Sequence, residues 1–131
     1  MRVVVFGSRD FKDEEFVRAQ VRELASPAAR RPMVVITGGA RGVDSWAADE
    51  ARKNGLSVEE YLPDWEHYGK SAGIRRNRQM FEQGRPDEAW AFWDGRSRGT
   101  FDSITRARRA GIPLRIWDEA KRVYSEERPY R

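Results

Sequence analysis

The chain has 131 residues, Lys+Arg 25 against Asp+Glu 21, 39% hydrophobic and 35% charged residues, and no cysteine. That composition suits one globular domain, and it excludes disulfide scaffolds, cysteine nucleophiles and thiolate metal sites. One histidine, His67, argues against a histidine-rich zinc site, and a Ser-His-Asp triad would have to rest on it alone.

The N-terminal run Val3-Val4-Val5-Phe6 is too short, and Gly7-Ser8-Arg9-Asp10 too polar, for a signal peptide, so the run is expected to be a strand of a cytoplasmic protein. No apolar run approaches the ~20 residues of a membrane span. Asp13-Glu14-Glu15 places acidic residues at a helix start, and Val17, Val21 and Leu24 follow at helical spacing. Met33 to Ile36 repeats the strand pattern and ends at Thr37-Gly38-Gly39. Val43, Trp46, Ala47 and Ala51 share a helical face that stops at Gly55. Val58 to Leu62 is a weaker strand, and Trp65 and Tyr68 fall in a loop. Ile74, Asn77, Met80 and Phe81 line one face of a third helix. Ala89 to Trp93 is a third strong strand, and Phe101, Ile104 and Ala107 mark a fourth helix that Gly111 ends. Ile112 to Trp117 alternates, as expected of a strand near a sheet edge.

Continuous apolar strands alternating with helices predict an α/β fold: a doubly wound, mainly parallel five-stranded sheet with helices on both faces. The boundaries are one domain over residues 1–117 and a polar tail over 118–131, read as a short helix or loose end. Charge is uneven. Residues 70–115 carry a net +6, residues 1–69 a net −2, and the tail is neutral, so an anionic partner is expected near the centre.

In such sheets ligands sit beyond the carboxyl ends of the strands. Three strands end there in glycine- and arginine-containing loops: Gly7-Ser8-Arg9; Gly38-Gly39-Ala40-Arg41-Gly42 leading to Asp44; and Gly95 through Arg98-Gly99-Thr100. Glycine lets backbone N–H groups approach an anion, a helix start adds its dipole, and arginine grips phosphate bidentately. None of the loops has Walker or classical dinucleotide spacing. Asp44 is a candidate acceptor for ribose hydroxyls or a general base. Asn77 and Lys70 are candidate ligand contacts, and Trp65 and Tyr68 candidate base-stacking rings.

Four motifs in order resemble one family. They are Gly7-Ser8-Arg9 with Phe11 and Asp13; Thr37 to Asp44; Asp64-Trp65 through Lys70, Arg76-Asn77 and Met80; and Ala91 through Gly99-Thr100. Together they are similar to the YspA-type branch of the SLOG superfamily, named for the Smf/DprA and LOG proteins. The resemblance implies a Rossmann-like three-layer fold with a nucleotide-type ligand across the strand ends, and suggests a homodimer through helices; no cluster of metal ligands stands out in the sequence, although a metal ion could accompany a phosphate. It implies binding, sensing or processing of a phosphorylated nucleoside derivative related to NAD or ADP-ribose. LOG-like hydrolysis of an N-glycosidic bond, with Asp44 and Arg76 as catalytic residues, and DprA-like nucleic-acid binding remain open alternatives. One departure bears on hydrolysis: the LOG glutamate is replaced by Ser103, which cannot stabilise an oxocarbenium-like centre as a carboxylate does.

Overall fold

The computed structural model describes residues 1–27 and 32–129; the last two residues of the tail lie outside the described residues. In chain order the elements are β1 (Arg2–Gly7), α1 (Glu14–Glu23), β2 (Val34–Thr37), α2 (Val43–Lys53), β3 (Ser57–Glu60), α3 (Trp65–Tyr68), a 3-10 turn (Gly69–Ser71), α4 (Ala72–Glu82), β4 (Glu88–Trp93), α5 (Arg98–Ala110), β5 (Leu114–Asp118) and β6 (Val123–Glu127). They form an α/β sheet in the order β3-β2-β1-β4-β5-β6. All pairings are parallel except β5 with β6. No helix among the described residues is long and apolar enough to cross a membrane.

The period-two alternation of β1 sorts the core into two layers. Val3 and Val5 join Trp90 and Phe92 against α1 and α2, through Val17, Val21, Val43 and Ala47. Val4 and Phe6 join Ala89 and Ala91 against Met80 of α4 and Ile104 and Ala107 of α5. Both faces are therefore covered, which is why β1 and β4 read as continuous apolar runs.

Three expectations are corrected. The sheet has six strands, because part of the polar tail forms β6. β6 lies outside β5 and is the edge, so the alternating Leu114 to Trp117 strand lies next to the edge, as its pattern suggested. Tyr124 tilts onto Trp117 with ring centroids 5.0 Å apart, and Glu127 takes two hydrogen bonds from Arg108 at 2.8 and 2.7 Å. β6 is almost wholly exposed, so no apolar pattern announces it. The Trp65–Tyr68 segment is a short helix rather than a loop, capped by the Asp64 carboxylate, which accepts the His67 N–H at 3.1 Å. Ile74 leaves the apolar face assigned to it and is largely exposed, while Asn77 and Met80 are buried.

Helices α1 and α2 are clipped by charge. Arg18 donates to Glu14, Asp49 and the buried Glu50 at 2.8, 2.7 and 3.1 Å. Burial pushes the Glu50 carboxyl up, but hydrogen bonds from Arg18, Arg22 and Asn54 prevail and hold it below its usual range. Removing one partner of a largely buried pair leaves a desolvated charge. Arg18→Ala should therefore lower unfolding stability by about 2–3 kcal/mol, against at most about 0.5 kcal/mol for the exposed i,i+4 pair broken by Arg78→Ala, as read by urea denaturation.

Candidate functional site

The crossovers from β1 and β4 diverge to opposite sides of the sheet, and a cleft of about 500 Å³ opens beyond their carboxyl ends. Its walls come from the three glycine-containing loops, from α3 and α4, and from the start of α5.

Gly7 ends β1 with no room for a side chain. A Cβ there would lie 2.5 Å from the Phe92 carbonyl oxygen and 2.7 Å from Val43 Cβ. Ser8, next in the chain, is buried and faces inward. Its hydroxyl accepts the Asp94 N–H at 3.0 Å and lies 3.2 Å from the Thr100 hydroxyl, which donates to Ser97 Oγ at 3.1 Å. This relay of hydroxyls ties the first loop, the third loop and the start of α5 together. Arg9 is exposed and lines the cleft.

In the second loop, Asp44 of α2 turns inward and is 4% exposed. The Ala40 N–H donates to its Oδ2 at 3.3 Å, and its Oδ1 is buried without a hydrogen-bond partner. Burial pushes the carboxyl up to about 6, against the pull of the Arg76 charge and the Ala40 N–H. Gly38 separates Asp44 from Arg76: a Cβ there would lie 2.6 Å from Arg76 Nη1 and 2.9 Å from Asp44 Oδ2. The Arg76 guanidinium donates through Nε to Asn77 Oδ1 at 2.9 Å and through Nη1 to the Gly38 carbonyl. Burial lowers its pKa, the Asp44 charge opposes that, and nearby Arg9 adds to it.

In the third loop, Asp94 Oδ1 accepts the Arg96 and Ser97 N–H groups, both at 2.8 Å. Burial pushes this carboxyl up, but those N–H groups prevail and hold it below its usual range. Ser97 caps α5, so the helix opens into the cleft with Gly99, Thr100 and Ser103 on the wall. A Cβ at Gly99 would meet nothing within 4 Å.

Not every candidate residue reaches the cleft. Gly7, Arg9, Ala40, Asp44, Trp65, Lys70, Arg76, Asn77, Gly99 and Thr100 line it. Arg41 and Arg98, expected as phosphate grips, do not; Arg41 is exposed and 4.0 Å from Asp10, and Arg98 is exposed at the start of α5. Gly39, Gly42 and Gly95 hold positive φ and shape the loops behind the cleft. Asn77, expected to face a ligand, has its amide engaged within the protein. It donates to the Gly99 carbonyl at 3.3 Å and to Asp102 at 3.1 Å, besides accepting from Arg76. Tyr68 lies outside the cleft, stacked on His67 with Arg75 4.3 Å above its ring. Trp65 lines the cleft and is 48% exposed. Asp10, Asp94, Arg96 and Ser103 also line it and were not candidates. The first three sit in loops the glycine pattern had already marked; Ser103 becomes a wall residue only through the position of α5.

A family model described as the YspA, cpYpsA-related SLOG family matches residues 1–68. The chain belongs to that family. Among curated proteins, the Gene 61 protein of Mycobacterium phage D29 is 42% identical over 120 residues, which are 86% of this chain and 93% of that one. Among solved structures, DNA processing protein A (DprA) from Streptococcus pneumoniae superposes with a TM-score of 0.68 at 19% identity, over 86% of this chain and 48% of that one. The DprA of Helicobacter pylori, described with a unique single-stranded DNA binding mode, gives 0.68 at 20% identity over 88% and 64%. The protein TM1055 gives 0.64 at 23% identity over 86% and 71%. At these identities the solved structures establish the shared Rossmann-like fold, and this SLOG chain spans about half of the pneumococcal DprA chain.

The Asp44 environment has a consequence for stability. Its folded pKa lies above the unfolded value, so the contribution of this one group is largest below pH 3.8 and is lost as pH rises through about 6. The full loss is on the order of 3 kcal/mol. Asp44→Asn should flatten that part of the profile, stabilising the protein more at about pH 8 than at about pH 4 in urea denaturation.

Proposed function

We propose that the cleft binds a phosphorylated nucleoside derivative of the kind related to NAD or ADP-ribose. The observation that carries this reading is Arg76. It is half-buried against the cleft, the two oxygens it donates to are neutral, and it forms no salt bridge with a carboxylate among the described residues. A desolvated guanidinium with spare N–H donors is a receptor for an oxyanion. The start of α5, open above Gly99, adds free backbone N–H groups and the positive end of its dipole. Arg9, Lys70 and Arg96 supply further positive charge at the rim. Asp44 lines the same cleft beside Arg76 and is the carboxyl offered to a ribose hydroxyl. The Trp65 indole offers a face for the base.

A second reading is hydrolysis of the N-glycosidic bond of such a ligand. Asp44 favours it, because a carboxyl titrating near 6 can trade a proton close to neutral pH. Arg76 would then stabilise the developing negative charge. Ser103 stands on the wall without a carboxylate, so Asp44 would be the sole acid–base group reaching the substrate from the candidate pair.

The test is a thermal-shift and calorimetric series with AMP, ADP, NAD and ADP-ribose, each mixture then separated for free base. Binding is expected for at least one compound, weakened about 10- to 100-fold by Arg76→Ala. Recovery of the ligand intact supports binding alone. Released base that disappears in Asp44→Asn supports hydrolysis. No binding of any compound overturns the reading. Oligonucleotide binding that falls steeply with salt would then favour the DprA-like alternative.

A further inference from the structure

Several partly buried arginines of this protein are held by acids: Arg2 by Glu59, Arg18 by Asp49 and Glu50, and Arg115 by Glu88. Arg76 is held by an amide and a carbonyl. We infer that Asn77 and Asp102 are positioning residues that fix the Arg76 guanidinium without neutralising it, keeping its charge for a bound anion. The inference rests on the reading of the cleft as an anion site.

The geometry runs through three side chains. Asn77 is 4% exposed, and both ends of its amide are engaged. Its Oδ1 accepts from Arg76 Nε at 2.9 Å, and its Nδ2 donates to Asp102 Oδ2 at 3.1 Å and to the Gly99 carbonyl at 3.3 Å. Asp102 also accepts from Arg106 Nε at 2.8 Å, so its negative charge already has a partner on its own helix. The amide therefore orients Arg76 as a carboxylate would, yet leaves the nearest negative charge on that side one residue removed. The bond to Gly99 ties the same amide to the open start of α5. One side chain thus sets two walls of the cleft against each other: the α4 guanidinium and the α5 terminus.

On the other side of Arg76 stands Asp44, which reports the arrangement. It faces Arg76 across Gly38, with the Ala40 N–H on its Oδ2 and Arg9 near Arg76 from the first loop. Any negative charge moved next to Arg76 would offset its stabilisation of the Asp44 carboxylate and raise the Asp44 titration.

The test exchanges donor and acceptor. In the double variant Asn77→Asp, Asp102→Asn the net charge is unchanged and the hydrogen bond between positions 77 and 102 can re-form with its direction reversed. The negative charge now sits on Arg76. The full chain is read three ways: urea denaturation, carbon NMR titration of the Asp44 carboxyl, and calorimetry with AMP beside adenosine. Expected are an upward shift of the Asp44 titration by about half a unit or more, AMP affinity lower by about tenfold or more, and adenosine affinity within about twofold. An Asp44 titration that stays in place in a folded double variant overturns the inference, with or without ligand. So does AMP affinity equal to that of the wild type. An Asp44 shift in a protein whose wild type binds neither AMP nor adenosine supports the positioning role and overturns the ligand reading instead. If the double variant does not fold, Asn77→Ala takes its place. It removes the anchor without adding charge, and is expected to weaken AMP several-fold while leaving adenosine and the Asp44 titration in place. Equal losses for AMP and adenosine would mark Asn77 as structural only.

Discussion

The structure depends on a close approach at the centre of the sheet. β1 and β4 are neighbours whose following segments leave to opposite faces, and at their ends Gly7 lies against the Phe92 carbonyl and the first residue of α2. A side chain at Gly7 would push the two strand ends or α2 apart. The cleft, the inward turn of Asp44 and the hydroxyl relay from Ser8 to Thr100 all follow from that contact. The flat apolar faces of β1 and β4 then let helices cover both sides, which fixes where α4 and α5 bring their own groups.

Electrostatics inside the cleft are built from opposed costs. Burial works against Asp44 as a carboxylate and against Arg76 as a cation, while each supports the charge of the other across Gly38. Neither has a strong ionic partner in hand, and one carboxyl oxygen has no partner at all. Asp94 shows the contrast. It is only partly buried, two backbone N–H groups hold it at 2.8 Å, and it shapes a loop. The two carboxyls thus differ in burial: the desolvated one is pushed up despite its backbone N–H donors, and it faces Arg76.

Much of this was legible in the chain. The runs at Val3, Met33 and Ala89 are strands because residues buried on both faces must all be apolar, and α1 and α5 carry side-chain caps at Asp13 and Ser97. The glycine-containing loops marked the strand ends at which the cleft opens, and the motif order marked the family. Less legible were segments whose structure comes from a neighbour. β6 is polar and exposed, and becomes a strand because β5 offers open hydrogen-bonding groups and Trp117 and Arg108 offer side-chain partners. Ile74 satisfies the helical pattern yet faces outward, because α4 turns Asn77 and Met80 to the interior.

Local pattern by itself determined the element order, the sheet class and the set of loops from which a site could be made. These are properties of neighbouring residues, written in periodicity and in glycine's freedom to bend. It did not determine which polar groups in those loops are spent on the fold and which line the cleft. Arg41, Arg98 and Tyr68 do not line the cleft, the Asn77 amide is engaged by Arg76, Gly99 and Asp102, and Ser103 enters the wall. That division was decided by tertiary structure, because a hydrogen bond between residues 22 or 38 positions apart depends on how helices sit on the sheet.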